Sequence, residues 1–252
     1  MQLVRVRLIE DKNLGCEEAP AEILKELRNV NNILLDKIYL EEIHVDLKDK
    51  EESNHLIFEN SKEIFEMSEK SFFIGGDISI NFSLIRAFDK IFEKNLLIVF
   101  DAHTNCHEKG WIRKLVENGF NGRDIVLIGC RNISLEELEF IKKEKINLIK
   151  MEIIDNDIEG ICDLIMERAN NSSSFFICLN LNTVDPAFVP GVCDIESGGF
   201  SSNDMLYFAK RLRILKNFKG ANFVGVNPKK DFNGISVNFC ARLIGEFVNN
   251  LG

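Results

Sequence analysis

The sequence predicts an α/β fold in which a largely parallel sheet carries helices on both faces. Short apolar runs alternate with longer amphipathic segments about seven or eight times along the chain. Several of these runs are apolar at nearly every residue, as expected for strands that are covered on both sides. Four runs end abruptly in polar residues and glycine. No repeat, low-complexity run or Pro/Ser-rich linker interrupts the pattern, so we expect one domain over residues 1–252.

The strands are predicted from apolar or alternating runs. They cover residues 3–9, 37–47, 71–74, 96–100, 124–128, 146–151, 175–179 and 223–226. The segment 37–47 alternates between apolar and polar residues, so we expect it at an edge of the sheet. An edge strand favours an open sheet over the competing topology, a closed TIM barrel.

The helices are predicted from apolar spacing and end signals. They cover residues 20–30, 50–67, 79–92, 111–117, 134–143, 155–169, 202–214 and 234–248. Pro20 lies near a first helical position, where its missing N–H costs nothing. Ser134 and Glu137 form the sequence pattern of a capping box.

Composition excludes several classes of protein. Hydrophobic residues make up 45% of the 252-residue chain and charged residues 28%, as in ordinary globular proteins. The net charge of -9 argues against a nucleic-acid partner, which would require a basic patch. No apolar run approaches the ~18 residues of a membrane span. The N-terminal residues alternate like a strand and do not resemble a signal peptide, so we expect a cytoplasmic protein.

The seven cysteines predict free thiols. They are scattered, odd in number and contain no Cys-x-x-Cys pair. This pattern is typical of a reduced cytosolic protein rather than of a disulfide framework or a zinc cage.

Polar clusters at four strand ends predict one crevice. They are Gly75-Gly76-Asp77, Asp101-x-His103-x-Asn105, Gly129-Cys130-Arg131 and Asn180-x-Asn182-x-x-Asp185-Pro186. On an extended chain Asp101, His103 and Asn105 point to the same side. Because ligands bind at the carboxyl ends of strands in open α/β sheets, we expect these clusters to converge. The alternative is that these polar strand ends have no functional role.

These segments resemble the signature blocks of the ureohydrolase family, which includes arginase, agmatinase and formiminoglutamase. The similarity covers nearly the whole chain in the right order. The segments are residues 15–20, 75–80, 101–105, 180–191, 198–200, 226–228 and 231–235. The resemblance implies a three-layer α/β/α sandwich around a mainly parallel sheet of about eight strands. It also implies a homo-oligomer, as a trimer or a hexamer.

The resemblance further implies two Mn2+ ions sharing a hydroxide that attacks a guanidinium carbon. Of the six metal ligands implied, this chain keeps Asp101 and His103. The other four positions carry neutral residues: Ile78, Asn105, Asn180 and Asn182. Gly225 stands where the family places a glutamate that meets the guanidinium.

These substitutions predict the loss of the dinuclear site. Two adjacent dications require several anions around them. Carboxamide oxygens are weak ligands for Mn2+, and Ile78 offers none. Four buried carboxylates without cations would repel one another, whereas asparagine keeps their shape without the charge. The prediction is a protein without a cofactor that binds a small molecule in the crevice, or that assembles with itself or with an active relative.

A metal-dependent alternative stays open. A single Mn2+ or Zn2+ ion at Asp101, His103 and Asn182 would support a C–N hydrolase acting on a guanidino or amide substrate. The opposing interpretation is that His103 donates a hydrogen bond and packs. The remaining predicted pocket residues are Asp77, Ile78, Asn105, Asn180, Asp185 and Gly225. Of these, Asp185 is expected to order its loop by accepting backbone N–H bonds.

Overall fold

The computed structural model describes residues 1–30 and 38–249. Within them, eight strands form one sheet in the order β2-β1-β3-β8-β7-β4-β5-β6. Every neighbouring pair is parallel, which confirms the predicted α/β class. The strands are β1 (Gln2–Val6), β2 (Tyr39–Ile43), β3 (Ser71–Gly75), β4 (Asn95–Phe100), β5 (Ile125–Cys130), β6 (Asn147–Lys150), β7 (Ser174–Asn180) and β8 (Phe218–Val224).

Helices cover both faces of this sheet. They are α1 (Ala19–Leu27), α2 (Lys50–Met67), α3 (Asn81–Ile91), α4 (Trp111–Glu117), α5 (Leu135–Glu144), α6 (Met151–Ile154), α7 (Ile158–Asn170), α8 (Ser202–Leu212) and α9 (Ile235–Val248). The apolar residues of α1 and α6–α9 pack on one face, and those of α2–α5 pack on the other. The result is a three-layer α/β/α sandwich with a core on each side.

The alternation of side chains along each strand explains the two cores. In β3, Phe72 and Ile74 join the core beneath α1 and α9, whereas Phe73 points into the core beneath α2 and α3. All five residues of β3 are buried. A strand covered on both faces therefore reads as a continuous apolar run, which is why this segment is predictable from the sequence.

The sheet is open rather than closed. Strand β2 pairs with β1 alone and lies at one edge, as predicted for the alternating segment 37–47. The ordered strand is shorter than that segment, and its predicted first residue, Lys37, lies outside the described residues. Strand β6 forms the opposite edge, so the competing barrel topology is wrong.

Several predicted boundaries differ from the structure, among them those of β8 and α7. Strand β8 begins at Phe218 rather than at residue 223. The apolar pattern does not predict its first residues because Gly220 and Asn222 interrupt the pattern, although both residues are buried. Inside the core, Nδ2 of Asn222 donates to Oδ1 of Asn81 at 2.7 Å. The helix predicted over 155–169 begins at Ile158. The last residue of the predicted strand 146–151, Met151, is instead the first residue of the one-turn helix α6.

No helix among the described residues is both long and apolar enough to cross a membrane.

Candidate functional site

A crevice opens at the carboxyl ends of β3, β4, β5 and β7. Its volume is ≈ 520 Å³. The lining residues are Lys12, Ile78, Asp101, His103, Asn105, His107, Asn132, Ile133, Ser134, Glu137, Asn180, Asn182, Asp194 and Ile195. The structure thus brings together the predicted Ile78, Asp101, His103, Asn105, Asn180 and Asn182.

Asp101 lies at the floor of the crevice as a hydrogen-bond acceptor. Its Oδ2 accepts from Nδ2 of Asn105 at 2.9 Å and from Nδ2 of Asn180 at 3.1 Å. Its Oδ1 accepts from the backbone N–H of His103 at 3.0 Å. The side-chain amides therefore turn their N–H groups, not their oxygens, toward the carboxylate.

The surroundings of Asp101 oppose its ionisation. The residue is 1% exposed, and burial raises the pKa of its carboxyl above the usual aspartate range. The backbone N–H of His103, its imidazole and the two amides act in the opposite direction without cancelling this effect. The floor of the crevice is therefore a site where negative charge is costly.

His103 stands between Asp101 and a second carboxylate. Its Nδ1 is 3.8 Å from Oδ1 of Asp101, and its Nε2 is 3.6 Å from Oε2 of Glu196. Nδ1 also lies 3.4 Å from Nδ2 of Asn182. The carboxamide oxygen of Asn182 accepts from the N–H of Ala102 at 3.2 Å, so the nitrogen of this amide faces the imidazole.

The residues present do not fit a pair of Mn2+ ions. Among the described residues, no three His, Cys, Asp or Glu side chains come together as a group able to hold a metal ion. The isoleucine side chain of Ile78 has no donor atom. Asn105 and Asn180 present N–H groups where a cation would require oxygen.

Gly225 leaves no room for the side chain that the resemblance implies. It has a positive φ of 88°, and a Cβ added there would lie 2.2 Å from Oδ1 of Asn180. Its N–H donates to Gly76 and its carbonyl accepts from Cys193. Gly225 therefore packs against Asn180 and does not line the crevice.

Asp77 also lies behind the crevice wall rather than in it. Its Oδ2 accepts from the N–H of Glu10 at 2.8 Å and from Nδ2 of Asn13 at 2.6 Å. Its Oδ1 accepts from the N–H of Ser79 at 2.9 Å. The carboxylate thus fastens the N-terminal loop to the end of β3.

Asp185 has the loop-ordering contacts expected of it, and it is outside the crevice lining. Its carboxylate accepts from the backbone N–H groups of Ala187, Gly198 and Gly199. These hydrogen bonds, led by that from Ala187, lower the pKa of Asp185 below its usual range. The nearby guanidinium of Arg131 acts in the same direction.

Arg131 holds the loop 193–199 against the strand ends. Its guanidinium donates to the carbonyls of Asn182 and Thr183 after β7 and to those of Glu196 and Ser197 in the loop. This arrangement positions Glu196 beside His103.

Sequence reasoning missed Lys12, Asp194 and Glu196, because loop residues without a periodic pattern or a motif give no signal.

The sequence model of the arginase family matches residues 8–249. The chain belongs to the arginase family. Agmatinase from Bacillus subtilis (strain 168) is 24% identical over 250 residues, which are 95% of this chain and 82% of that protein. The mitochondrial arginase 1 of Arabidopsis thaliana is 27% identical over 184 residues, or 69% of this chain. The match covers 52% of that arginase, about half its length.

A solved structure agrees with this arginase-family assignment at the level of the fold. The crystal structure of formimidoylglutamase from Bacillus subtilis subsp. subtilis str. 168 superposes with a TM-score of 0.90 at 22% identity. The superposition covers 98% of this chain and 86% of that one. The three-layer sandwich is therefore that of the arginase family.

Proposed function

We propose that this arginase-family chain has lost the dinuclear manganese site and guanidino-hydrolase activity and acts as a non-catalytic binding protein. The observation that carries the proposal is the pair of amides, Asn105 and Asn180, that donate to Oδ2 of Asp101. A cation binding at Asp101 would have to displace these donors from a buried carboxylate.

Electrostatics supports the same proposal. Two neighbouring dications are stable only when several anions share them, and Asp101 is the one carboxylate among the six positions to which the resemblance assigns ligands. Asn105, Asn180 and Asn182 keep the approximate shape of aspartate without its charge. With these neutral side chains, the crevice suits a small polar molecule better than a pair of metal ions.

We further propose the organisation of the whole protein. The chain forms one arginase-like domain over residues 1–252 and acts in the cytoplasm. It assembles as a homo-oligomer, a trimer or a hexamer, or with an active ureohydrolase as its partner. Nucleic acid and membranes are not partners, in keeping with the net charge of -9.

Hydrolysis assays test the proposal. The purified chain is incubated with Mn2+ and then with arginine, agmatine or formiminoglutamate, and the release of urea or formamide is measured. We expect no product above the level given by buffer and Mn2+ alone. Product formation that requires the protein and is lost on chelation would overturn the proposal. An active arginase assayed in parallel shows that the assay detects the reaction.

A second candidate function rests on one observation. Asp101, His103 and Asn182 do lie together, and His103 keeps 33% of its side chain exposed toward the crevice. Rotation of the Asn182 amide would present its oxygen to the same space as the imidazole. One Mn2+ or Zn2+ ion held there would make the chain a C–N hydrolase of a guanidino or amide substrate.

A thermal-shift titration separates the two candidates. The second function predicts that Mn2+ or Zn2+ raises the midpoint of unfolding and that His103→Ala abolishes the rise. His107→Ala is the matched control, since His107 lines the same crevice and is not among the proposed ligands. The first function predicts no rise in any of the three proteins.

A further inference from the structure

Three asparagines of this chain are each followed directly by glycine: Asn118, Asn121 and Asn233. In such a pair the backbone nitrogen of the glycine can attack the side-chain carboxamide of the asparagine, because glycine has no Cβ that would hinder the approach. All three asparagines are exposed to solvent. The hydrogen bonds around each pair therefore decide which of them is free to react.

Hydrogen bonds hold both partners of the first pair. Nδ2 of Asn118 donates to the carbonyl of Lys114 at 2.8 Å. The N–H of Gly119 donates to the carbonyl of Val116 at 2.9 Å. The carboxamide and the glycine nitrogen are thus both engaged at the end of α4.

The second pair is held through both ends of its carboxamide. Oδ1 of Asn121 accepts from the N–H of Arg123 at 3.2 Å, and Nδ2 donates to Oδ2 of Asp124 at 2.9 Å. Gly122 is buried, and a Cβ added there would lie 2.4 Å from the carbonyl oxygen of Glu144. This glycine is therefore packed against the end of α5 and has little freedom to turn toward the carboxamide.

The third pair, Asn233 and Gly234, has no such restraint. Within the part of the chain that the structure describes, neither the Asn233 carboxamide nor the N–H of Gly234 has a hydrogen-bond partner. Both residues are exposed and have positive φ angles, 51° and 70°. A Cβ added at Gly234 would meet no atom within 4 Å, so the turn is open to solvent.

The helix that follows does not recruit Asn233 as a cap. The carboxylate of Asp231 accepts from the N–H groups of Ser236 and Val237 in the first turn of α9. Asparagine side chains before a helix commonly accept these hydrogen bonds. Because Asp231 accepts them here, the Asn233 carboxamide is left accessible to the nitrogen of Gly234.

We propose that Asn233 is a site of spontaneous deamidation, which converts it to aspartate and isoaspartate in the folded protein. The site goes beyond the proposed function. It lies outside the lining of the crevice, and its reaction requires neither a metal nor a ligand.

The reaction requires only hydroxide and water. Hydroxide removes the proton from the backbone nitrogen of Gly234, and this nitrogen attacks Cγ of Asn233. The bond between Cγ and Nδ2 breaks, and Nδ2 takes a proton from water and leaves as ammonia, which regenerates the hydroxide. Water then opens the cyclic succinimide at either of its carbonyl carbons, which gives aspartate or isoaspartate. The net reaction consumes one water and releases one ammonia, without oxidation or reduction.

Both products alter the segment that leads into α9. Aspartate at position 233 adds a negative charge close to Asp231. Isoaspartate instead adds a methylene group to the backbone between Asp231 and the helix that it caps. The modification therefore acts on the start of α9.

Peptide mapping of the wild-type protein tests the proposal. The folded chain is incubated in mildly alkaline buffer, sampled over time and digested with trypsin, and a zero-time sample corrects for deamidation during digestion. The tryptic segment 231–242 carries Asn233, and the segment 115–123 carries both Asn118 and Asn121, which fragment ions distinguish. We expect Asn233 to convert at least about tenfold faster than the other two, because their hydrogen bonds must open first.

Unfolding provides the matched control. In guanidinium chloride the three pairs lose these hydrogen bonds and should convert at similar rates. Gly234→Ala should slow the conversion of Asn233, since the added methyl group hinders the attack.

The proposal is overturned if Asn233 in the folded protein converts no faster than Asn118 and Asn121. It is also overturned if the same difference between the sites persists in guanidinium chloride, since the fold would then not cause it. Because the decisive comparison is made within the wild-type protein, it stands even if the Gly234→Ala variant fails to fold.

Discussion

The side-chain amide of Asn180 donates to Oδ2 of Asp101 across 3.1 Å, between the carboxyl ends of β7 and β4. Asn105 donates to the same oxygen from the loop after β4. The buried carboxylate of Asp101 therefore accepts hydrogen bonds from two neutral amides. Two further carboxylates in the place of these amides would require cations between them. This relationship gives Asn105 and Asn180 a structural role beside Asp101, and substitutions at these positions test it.

Replacing Asn180 by aspartate should destabilise the protein. In Asn180→Asp a second carboxylate faces Asp101, so the like charges raise the pKa of one carboxyl in the folded state. The loss of stability should therefore grow as the pH rises above about 4, reaching about 2–4 kcal/mol near pH 7.5. Urea unfolding at several pH values measures it. Asn203→Asp, at an exposed position in the first turn of α8, should stay within about 0.5 kcal/mol of wild type.

Gly225 and Gly198 form a matched pair of positive-φ glycines. Gly225→Ala combines a left-handed backbone with a Cβ 2.2 Å from Oδ1 of Asn180, whereas an alanine at Gly198 meets no atom within 4 Å. We expect Gly198→Ala to cost about 1–2 kcal/mol through backbone strain alone. Gly225→Ala should cost about 3–5 kcal/mol, because the Asn180 amide must also move. Equal unfolding free energies for the two variants would argue against the contact.

Arg131 should matter for stability more than an ordinary surface arginine. Arg131→Ala leaves partly buried carbonyls on both sides without their donor, and we expect a loss of about 2–4 kcal/mol. Hydrogen exchange should rise in the loop 193–199, which the guanidinium holds at Glu196 and Ser197. Arg131→Lys should fall between wild type and alanine, since an ammonium cannot reproduce the fork of donors. Unchanged exchange in this loop would count against the assigned role.

Because of Asp185, the free energy of unfolding should depend on pH in the acid range. Its pKa is lowered in the folded protein, so its contribution is present above the unfolded pKa of about 3.9 and is lost as the pH falls through the folded value. Asp185→Asn should lose about 1–2 kcal/mol at pH 7, and the difference from wild type should shrink below about pH 4. Unfolding curves at pH 7 and pH 3 measure this. Asp155→Asn, at an exposed aspartate, is the control and should show no such trend.

The sequence predicts the fold well where burial is complete. Strands such as β3 and β4 are apolar at nearly every position because helices cover both faces, and this pattern is visible without a structure. For strand β8 the apolar pattern predicts only the last two residues, Phe223 and Val224. Gly220 and Asn222 resemble loop residues in sequence, and the core position of Asn222 depends on a distant partner, Asn81.

The candidate site divides in the same way. The polar residues that follow β4 and β7 could be predicted, since the carboxyl ends of parallel strands meet at one edge. The position of Glu196 beside His103 could not, because it depends on hydrogen bonds from Arg131 to the backbone of a loop. The expectation that Asp77, Asp185 and Gly225 line the pocket differs from the structure, in which none of the three is a lining residue. Hydrogen bonds to other residues occupy the two carboxylates and the backbone of Gly225.

Manganese content tests the central claim most directly. The purified chain is equilibrated with excess Mn2+, separated from free metal and analysed for manganese per chain, with an active arginase treated in parallel. The proposed loss of the dinuclear site predicts that manganese stays well below one equivalent per chain, because amide N–H groups face the carboxylate of Asp101. Two equivalents of tightly bound manganese per chain would contradict the account.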